Sequence, residues 1–112
     1  MKIYHNPRCS KSRQALNLLK EKGVTPEVVE YLKEVPTFEE MKKLVQQLNM
    51  KPEDILRKGE EIYKKEFKGK NFTDDEWIKI LIENPKLIER PIIVKGNKAI
   101  VGRPPEKVLE LI

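Results

Sequence analysis

The first 32 residues constrain the fold most, because they alternate a strand pattern, a helix pattern and a second strand pattern. The stretch KIYH, residues 2–5, is a short strand candidate that an Asn-Pro pair interrupts. A helix is predicted from Cys9 to about Lys22, before Gly23, and PEVVEYL is the second strand candidate. This order predicts a parallel βαβ unit with a right-handed crossover.

The remaining patterns predict several helices, then a β-hairpin, then a closing helix. Two Thr-x-x-Glu capping boxes, at Thr37 and Thr73, each precede an apolar helix face. Between them, PEDIL fits a shorter helix with proline in its first turn, and Arg57 is interpreted as part of this helical stretch. The lysine-rich IYKKEFKGKNF is interpreted as a loop or frayed helix. PIIVKGNKAIV predicts a hairpin around a Gly-Asn turn. PPEKVLELI predicts a final helix with helical spacing of Val108, Leu109 and Ile112.

These elements together predict one α/β domain over residues 1–112. A chain of 112 residues fits a single compact domain. Charged residues make up 37% of it and are well mixed in sign, which favours a globular surface over a disordered chain.

Several functional classes are disfavoured by composition. A single cysteine cannot form an internal disulfide, and no apolar run approaches the roughly 20 residues of a membrane helix. The start of the chain has no apolar stretch typical of a signal peptide, so we expect a cytoplasmic protein without membrane association. The net charge of +5 favours anionic partners in general. We expect no nucleic-acid partner, because lysines alternate with glutamates and the basic stretch Lys64 to Lys70 is interpreted as a solvated loop.

The stretch HNPRCSKSR carries the only cysteine and the only histidine of the chain. Cys9 is predicted at a helix N-terminus, where unpaired backbone N–H groups and the helix dipole favour an anion. Such a setting lowers the pKa of a cysteine from about 8.5 to roughly 3.5–7.5, and the basic side chains nearby could add to the effect. These features favour a reactive thiolate over a buried structural cysteine. For His5, a polar loop residue and a group that tunes the thiol pKa both stay open.

Ser12 gives the motif C-x-x-S, which lacks the second thiol that would resolve a mixed disulfide. An outside thiol is therefore predicted to complete any redox cycle. A tyrosine-phosphatase loop is excluded, because its arginine position is Ala15 here. One cysteine and one histidine are too few for a structural zinc site, so we expect no metal and no bound cofactor. A Cys–His hydrolase pair is conceivable but its contact is not readable from sequence.

Four motifs, YHNPRCSKSR, DILRK, LIERPIIV and VGRPPEKVLELI, resemble those of the glutaredoxin-coupled arsenate reductases. The resemblance runs from the first strand to the last residue. It implies a thioredoxin-like fold with a small mixed sheet and an inserted helical portion. It also implies that Cys9 attacks arsenate and that three arginines surround the oxyanion: Arg57, Arg90 and Arg103.

The same resemblance implies further properties of the site and of the reaction. His5 and Ser12 would tune the thiolate, and the Arg90-Pro91 bond would be cis and face the thiol. Arsenate would be reduced to arsenite through a Cys9 thiol-arsenate intermediate. Glutathione would be the co-substrate and glutaredoxin the protein partner. Independently of the resemblance, we expect a monomer. Gly102 departs from the family pattern, which often has a second cysteine at that position.

Two other functions remain as alternatives. The chain also resembles the Spx-type regulators, which share the fold and bind RNA polymerase. Those regulators commonly carry a C-x-x-C redox switch, and Ser12 removes its second thiol here. The other alternative is a glutathione-dependent thiol oxidoreductase with a different substrate, because an arginine cluster specifies an anion rather than arsenic.

Overall fold

A computed structural model describes all residues from 1 to 112, and the chain divides into two compact units. The first unit combines residues 1–34 with residues 90–112, and the second comprises residues 35–89. The first unit contains four strands, one α-helix and a C-terminal 3-10 helix: β1 (Lys2–His5), α1 (Ser10–Glu21), β2 (Glu27–Glu30), β3 (Ile92–Lys95), β4 (Lys98–Val101) and the 3-10 helix (Pro105–Leu111).

The four strands form one mixed sheet in the order β2-β1-β3-β4. β1 runs parallel to β2, whereas β3 is antiparallel to both β1 and β4. Ile3 lies opposite Ile93 on the two central strands, and both side chains are fully buried. The predicted α/β fold class is confirmed, including the parallel β1-α1-β2 unit and the β3-β4 hairpin.

Helix α1 contributes Ala15 and Leu19 to the core of this unit. The two residues are four apart, so they lie on one face of the helix. The helix ends as predicted, because Gly23 adopts a φ of 77°, a left-handed conformation that is readily accessible to glycine.

The closing segment is a 3-10 helix, and its predicted buried face is wrong in part. Val108 and Leu111 are buried, but Leu109 and Ile112 are 41% and 50% exposed. A 3-10 helix has three residues per turn, so residues at i and i+3 share a face. The apolar face therefore runs through Pro105, Val108 and Leu111.

The second unit is helical, with two α-helices and three shorter helical segments. These are α2 (Phe38–Leu48), α3 (Asp74–Glu83), two 3-10 turns (Pro52–Ile55 and Pro85–Leu87) and a π-helical turn (Tyr63–Phe67). None of the helices combines the length and the apolar composition that crossing a bilayer requires.

Both predicted capping boxes of the second unit are confirmed. The hydroxyl of Thr37 accepts a hydrogen bond from the Glu40 N–H at 3.2 Å, and the Glu40 carboxylate accepts one from the Thr37 N–H at 2.9 Å. Thr73 and Glu76 form the same reciprocal pair before α3. Each box fixes the first residue of the helix that follows it.

Candidate functional site

The loop between β1 and α1 places Cys9 at the N-cap of the helix, one residue before its first turn. The Cys9 N–H donates to the Asn6 carbonyl at 3.0 Å, which closes a tight turn after the strand. The Cys9 carbonyl then accepts the Arg13 N–H at 3.1 Å and begins the helical hydrogen bonds. The predicted helix start is therefore correct to within one residue.

Side chains secure this loop from both ends. The Asn6 carboxamide oxygen accepts the Arg8 N–H at 3.0 Å, an arrangement typical of Asx turns. The Ser12 side chain is fully buried, and its hydroxyl accepts the Asn6 N–H at 3.4 Å. On the outside, the Arg13 guanidinium donates to the Pro7 carbonyl at 2.9 Å. The position of the thiol is thus fixed by the loop that precedes it and the helix that follows it.

The electrostatic surroundings of Cys9 favour its thiolate. Burial raises the pKa of the thiol, whose residue is only 8% exposed. The Ser12 N–H, the Arg90 guanidinium and the Lys11 N–H together outweigh that effect and lower the pKa from 9.0 to about 7. About half of the molecules therefore carry a thiolate at neutral pH, the form in which a cysteine acts as a nucleophile.

Arg90 lies two residues before β3, and its guanidinium hydrogen-bonds the Cys9 thiol. The Arg90-Pro91 peptide bond is cis, as the family resemblance predicted. The Nε atom of Arg90 is buried. A guanidinium beside a thiolate supplies a positive charge and planar donors to the same small region.

Arg103 lies in the turn between β4 and the final 3-10 helix, where its N–H donates to the Val101 carbonyl at 2.9 Å. The Gly102 N–H donates to the Pro91 carbonyl at 2.8 Å. This bond brings the backbone segments that carry Arg90 and Arg103 side by side. The Nε atom of Arg103 is buried like that of Arg90. The first unit therefore contains two of the three predicted arginines on adjoining segments.

His5 ends β1 and is only 6% exposed, with its Nδ1 atom buried and without a hydrogen-bond partner. Burial lowers its pKa from 6.5, Arg13 and Lys20 lower it further, and Glu30 opposes them. The imidazole is therefore neutral at pH 7 and brings no positive charge to the thiol. The tuning role of His5 stays a prediction.

Arg57 belongs to the second unit and is not in a helix, so the predicted helical setting is wrong. The adjacent Leu56 forms an isolated antiparallel bridge with Ile88, because the chain is extended after its 3-10 turn. The Arg57 guanidinium lies 3.3 Å from the Glu60 carboxylate and 4.0 Å from that of Glu89. Two acidic neighbours thus share its charge, and its role as an oxyanion ligand stays a prediction.

The sequence interpretation missed three groups that shape the site. The strand pattern marks Asn6 only as a strand breaker, although an Asn-Pro pair before a helix is also typical of an Asx turn. The backbone N–H of Lys11 lowers the pKa of the thiol, an effect that does not depend on the Lys11 side chain. Gly102 joins the segments of two arginines, and no local pattern in the sequence signals that contact.

This arrangement can perform nucleophilic chemistry on an anion. The thiolate would attack, while the two N–H groups and the Arg90 guanidinium stabilise negative charge as it moves. No group of three or more His, Cys, Asp or Glu side chains is placed to hold a metal ion.

Comparisons with known proteins agree with this interpretation. Residues 4–111 match the ArsC family. The arsenate reductase of Neisseria meningitidis (serogroup A) is 40% identical over 110 residues, which cover 96% of this chain and 94% of that protein. YfgD of Escherichia coli (strain K12), described as uncharacterized, is 46% identical over 114 residues, covering 100% and 96%. The solved structure of an arsenate reductase from Vibrio cholerae is 46% identical, with a TM-score of 0.95, and covers 100% of this chain and 98% of that one.

Proposed function

We propose that this chain, which belongs to the ArsC family, is an oxidoreductase that reduces arsenate to arsenite with Cys9 as its nucleophile. The observation that carries the proposal is the thiol at the start of α1, with the Arg90 guanidinium hydrogen-bonded to it. A thiolate and a guanidinium in contact match the needs of a reaction that brings an oxyanion to a sulfur nucleophile.

In the first step, the Cys9 thiolate attacks the arsenic atom of arsenate. A sulfur–arsenic bond forms, an arsenic–oxygen bond breaks, and the oxygen leaves as hydroxide or, once protonated, as water. Arg90 stabilises the charge that leaves the sulfur for the arsenate oxygens. Arg103, on the adjoining segment, and Arg57 are proposed as further ligands of those oxygens.

In the second step, a glutathione thiolate attacks the Cys9 sulfur. A sulfur–sulfur bond forms, and the electron pair of the sulfur–arsenic bond stays with arsenic, which is reduced from As(V) to As(III) and leaves as arsenite. Cys9 is then a mixed disulfide with glutathione. The chain holds one cysteine and cannot resolve this disulfide itself, so a glutaredoxin thiol removes the glutathione and regenerates Cys9. Such a cycle requires a reducing compartment, which is why we propose a cytoplasmic location.

The test is arsenate-dependent oxidation of NADPH in a mixture of glutathione, glutaredoxin and glutathione reductase. Wild type is compared with Cys9→Ser, which replaces the thiol at the N-cap with a hydroxyl of similar size and cannot form a thiolate. We expect turnover that requires arsenate, glutathione and Cys9 together. Arg8→Ala, which removes an exposed guanidinium one residue from the thiol, serves as the control for a general loss of charge.

Omitting each component separately identifies the part of the proposal that fails. Turnover with thioredoxin and thioredoxin reductase alone would keep arsenate as the substrate and reject glutathione and glutaredoxin as donors. If the protein is folded and its thiol reacts with iodoacetamide, but neither the glutathione nor the thioredoxin system supports turnover, arsenate is rejected as the substrate. Equal turnover by Cys9→Ser would reject the nucleophile itself.

A further inference from the structure

Gly102 lies where the polypeptide has no room for a side chain. A Cβ atom at this position would be 2.9 Å from Ile93 Cδ1, 3.0 Å from Pro91 Cγ and 3.5 Å from Val108 Cγ1. Carbon atoms in protein interiors normally approach to about 3.5–4.0 Å, so two of the three contacts are too close. Ile93 and Pro91 are both fully buried, and neither can turn its side chain out into solvent.

The crowded atoms belong to the segment that holds Arg90. Pro91 follows Arg90 directly, and its carbonyl accepts the Gly102 N–H at 2.8 Å. The carbonyl of Pro91 is thus held by this hydrogen bond, and its ring fills the space that a side chain at Gly102 would need. The five-membered ring of proline is bonded to its own backbone nitrogen, so its Cγ can move only by a change of ring pucker or by a shift of the whole ring, and a shift of the ring also moves the peptide bond to Arg90.

We propose that Gly102 is a positioning residue for the Cys9 site: the absence of a side chain lets Pro91 pack closely and thereby holds the Arg90 guanidinium against the thiol. The inference rests on the proposed roles of Cys9 and Arg90, and it adds a residue that touches neither reactant. With Ile93 and Pro91 packed as they are here, any side chain at this position forces one of them to move.

The experiment measures the pH dependence of thiol alkylation by iodoacetamide in wild type and Gly102→Ala. We expect the pKa of Cys9 to rise by about one pH unit in the variant, because Arg90 is displaced from the thiol. At pH 6, below both pKa values, alkylation should then slow about tenfold. Gly59→Ala is the matched control, since a Cβ at Gly59 meets nothing within 4 Å and its φ is not in the left-handed range.

A second variant separates positioning from a loss of packing. Ile93→Val removes the Cδ1 atom that lies closest to the new Cβ and leaves the Pro91 contact in place. In the double variant Gly102→Ala with Ile93→Val, we expect the melting temperature to recover relative to Gly102→Ala while the thiol pKa stays raised. Ile93→Val alone should leave the thiol pKa as in wild type.

The proposal is overturned if the folded Gly102→Ala protein, or the folded double variant, alkylates with the wild-type pH profile. Gly102 would then contribute to packing and stability alone. Because alkylation needs no arsenate, glutathione or glutaredoxin, this result is independent of whether the protein reduces arsenate. A chain that lacks arsenate reductase activity can still show the raised pKa, and an active one can still fail to show it.

Discussion

Replacing Arg90 by alanine removes the guanidinium that hydrogen-bonds the Cys9 thiol. In the wild type, burial raises the thiol pKa, and the Ser12 N–H, Arg90 and the Lys11 N–H bring it from 9.0 to about 7. That difference corresponds to about 3 kcal/mol in favour of the thiolate. The two backbone N–H groups remain in the variant, so only the part supplied by Arg90 is lost.

The size of the loss follows from the contact. A cation within about 4–6 Å lowers the pKa of an acidic group by about 1–3 pH units, and this cation is also a hydrogen-bond donor. We therefore expect the pKa of Cys9 in Arg90→Ala to rise by about one to two pH units. At pH 7 the thiolate fraction would fall from about half to about a tenth or less.

The assay follows thiolate absorbance at 240 nm across a pH titration, with Cys9→Ser subtracted as the blank. Arg8→Ala is the control, because that side chain is exposed and only its backbone N–H takes part in the loop. Arg90→Lys, which keeps the charge but not the planar donors, should give an intermediate pKa. An unchanged pKa in Arg90→Ala, or an equal rise in Arg8→Ala, would refute the assignment of Arg90 to the thiol.

Three further outcomes are expected from the structure. Leu111→Ala should cost about 2–5 kcal/mol in urea unfolding, whereas Leu109→Ala should cost at most about 0.5 kcal/mol, and equal costs would contradict the 3-10 register. Folding lowers the pKa of Cys9, so the thiolate stabilises the folded state above pH 9, and this contribution is lost as the pH falls through about 7. The free energy of unfolding of wild type minus that of Cys9→Ser should therefore increase by up to about 3 kcal/mol between pH 6 and pH 9. Folding also lowers the pKa of His5, so wild type should lose stability below about pH 6.5 more steeply than His5→Gln. An equal change in the urea midpoint of both proteins between pH 7 and pH 5 would contradict this.

Local patterns explain why much of the fold could be predicted from the sequence. The capping boxes depend on residues three apart, and the hairpin depends on one tight turn, so neighbouring residues determine both. The position of Cys9 at the N-cap likewise follows from a strand, an Asn-Pro break and a helix in succession.

Contacts distant in sequence account for what could not be predicted. The setting of Arg57 depends on the bridge between Leu56 and Ile88, more than thirty residues apart. The adjoining segments of Arg90 and Arg103 depend on the hydrogen bond from Gly102 to Pro91. The register of the final helix was ambiguous because its apolar residues fit both a 3.6-residue and a three-residue period, and packing against the core selects the second.

Intact-mass spectrometry of the protein shows whether Cys9 reacts with arsenate and glutathione. Wild type and Cys9→Ser are incubated with arsenate and glutathione, separately and together, without glutaredoxin. We expect one glutathione adduct per wild-type chain, at Cys9, formed rapidly only when arsenate and glutathione are both present, with arsenite released in equal amount. Adduct formation that is independent of arsenate, or arsenite release by Cys9→Ser at the wild-type rate, would contradict it.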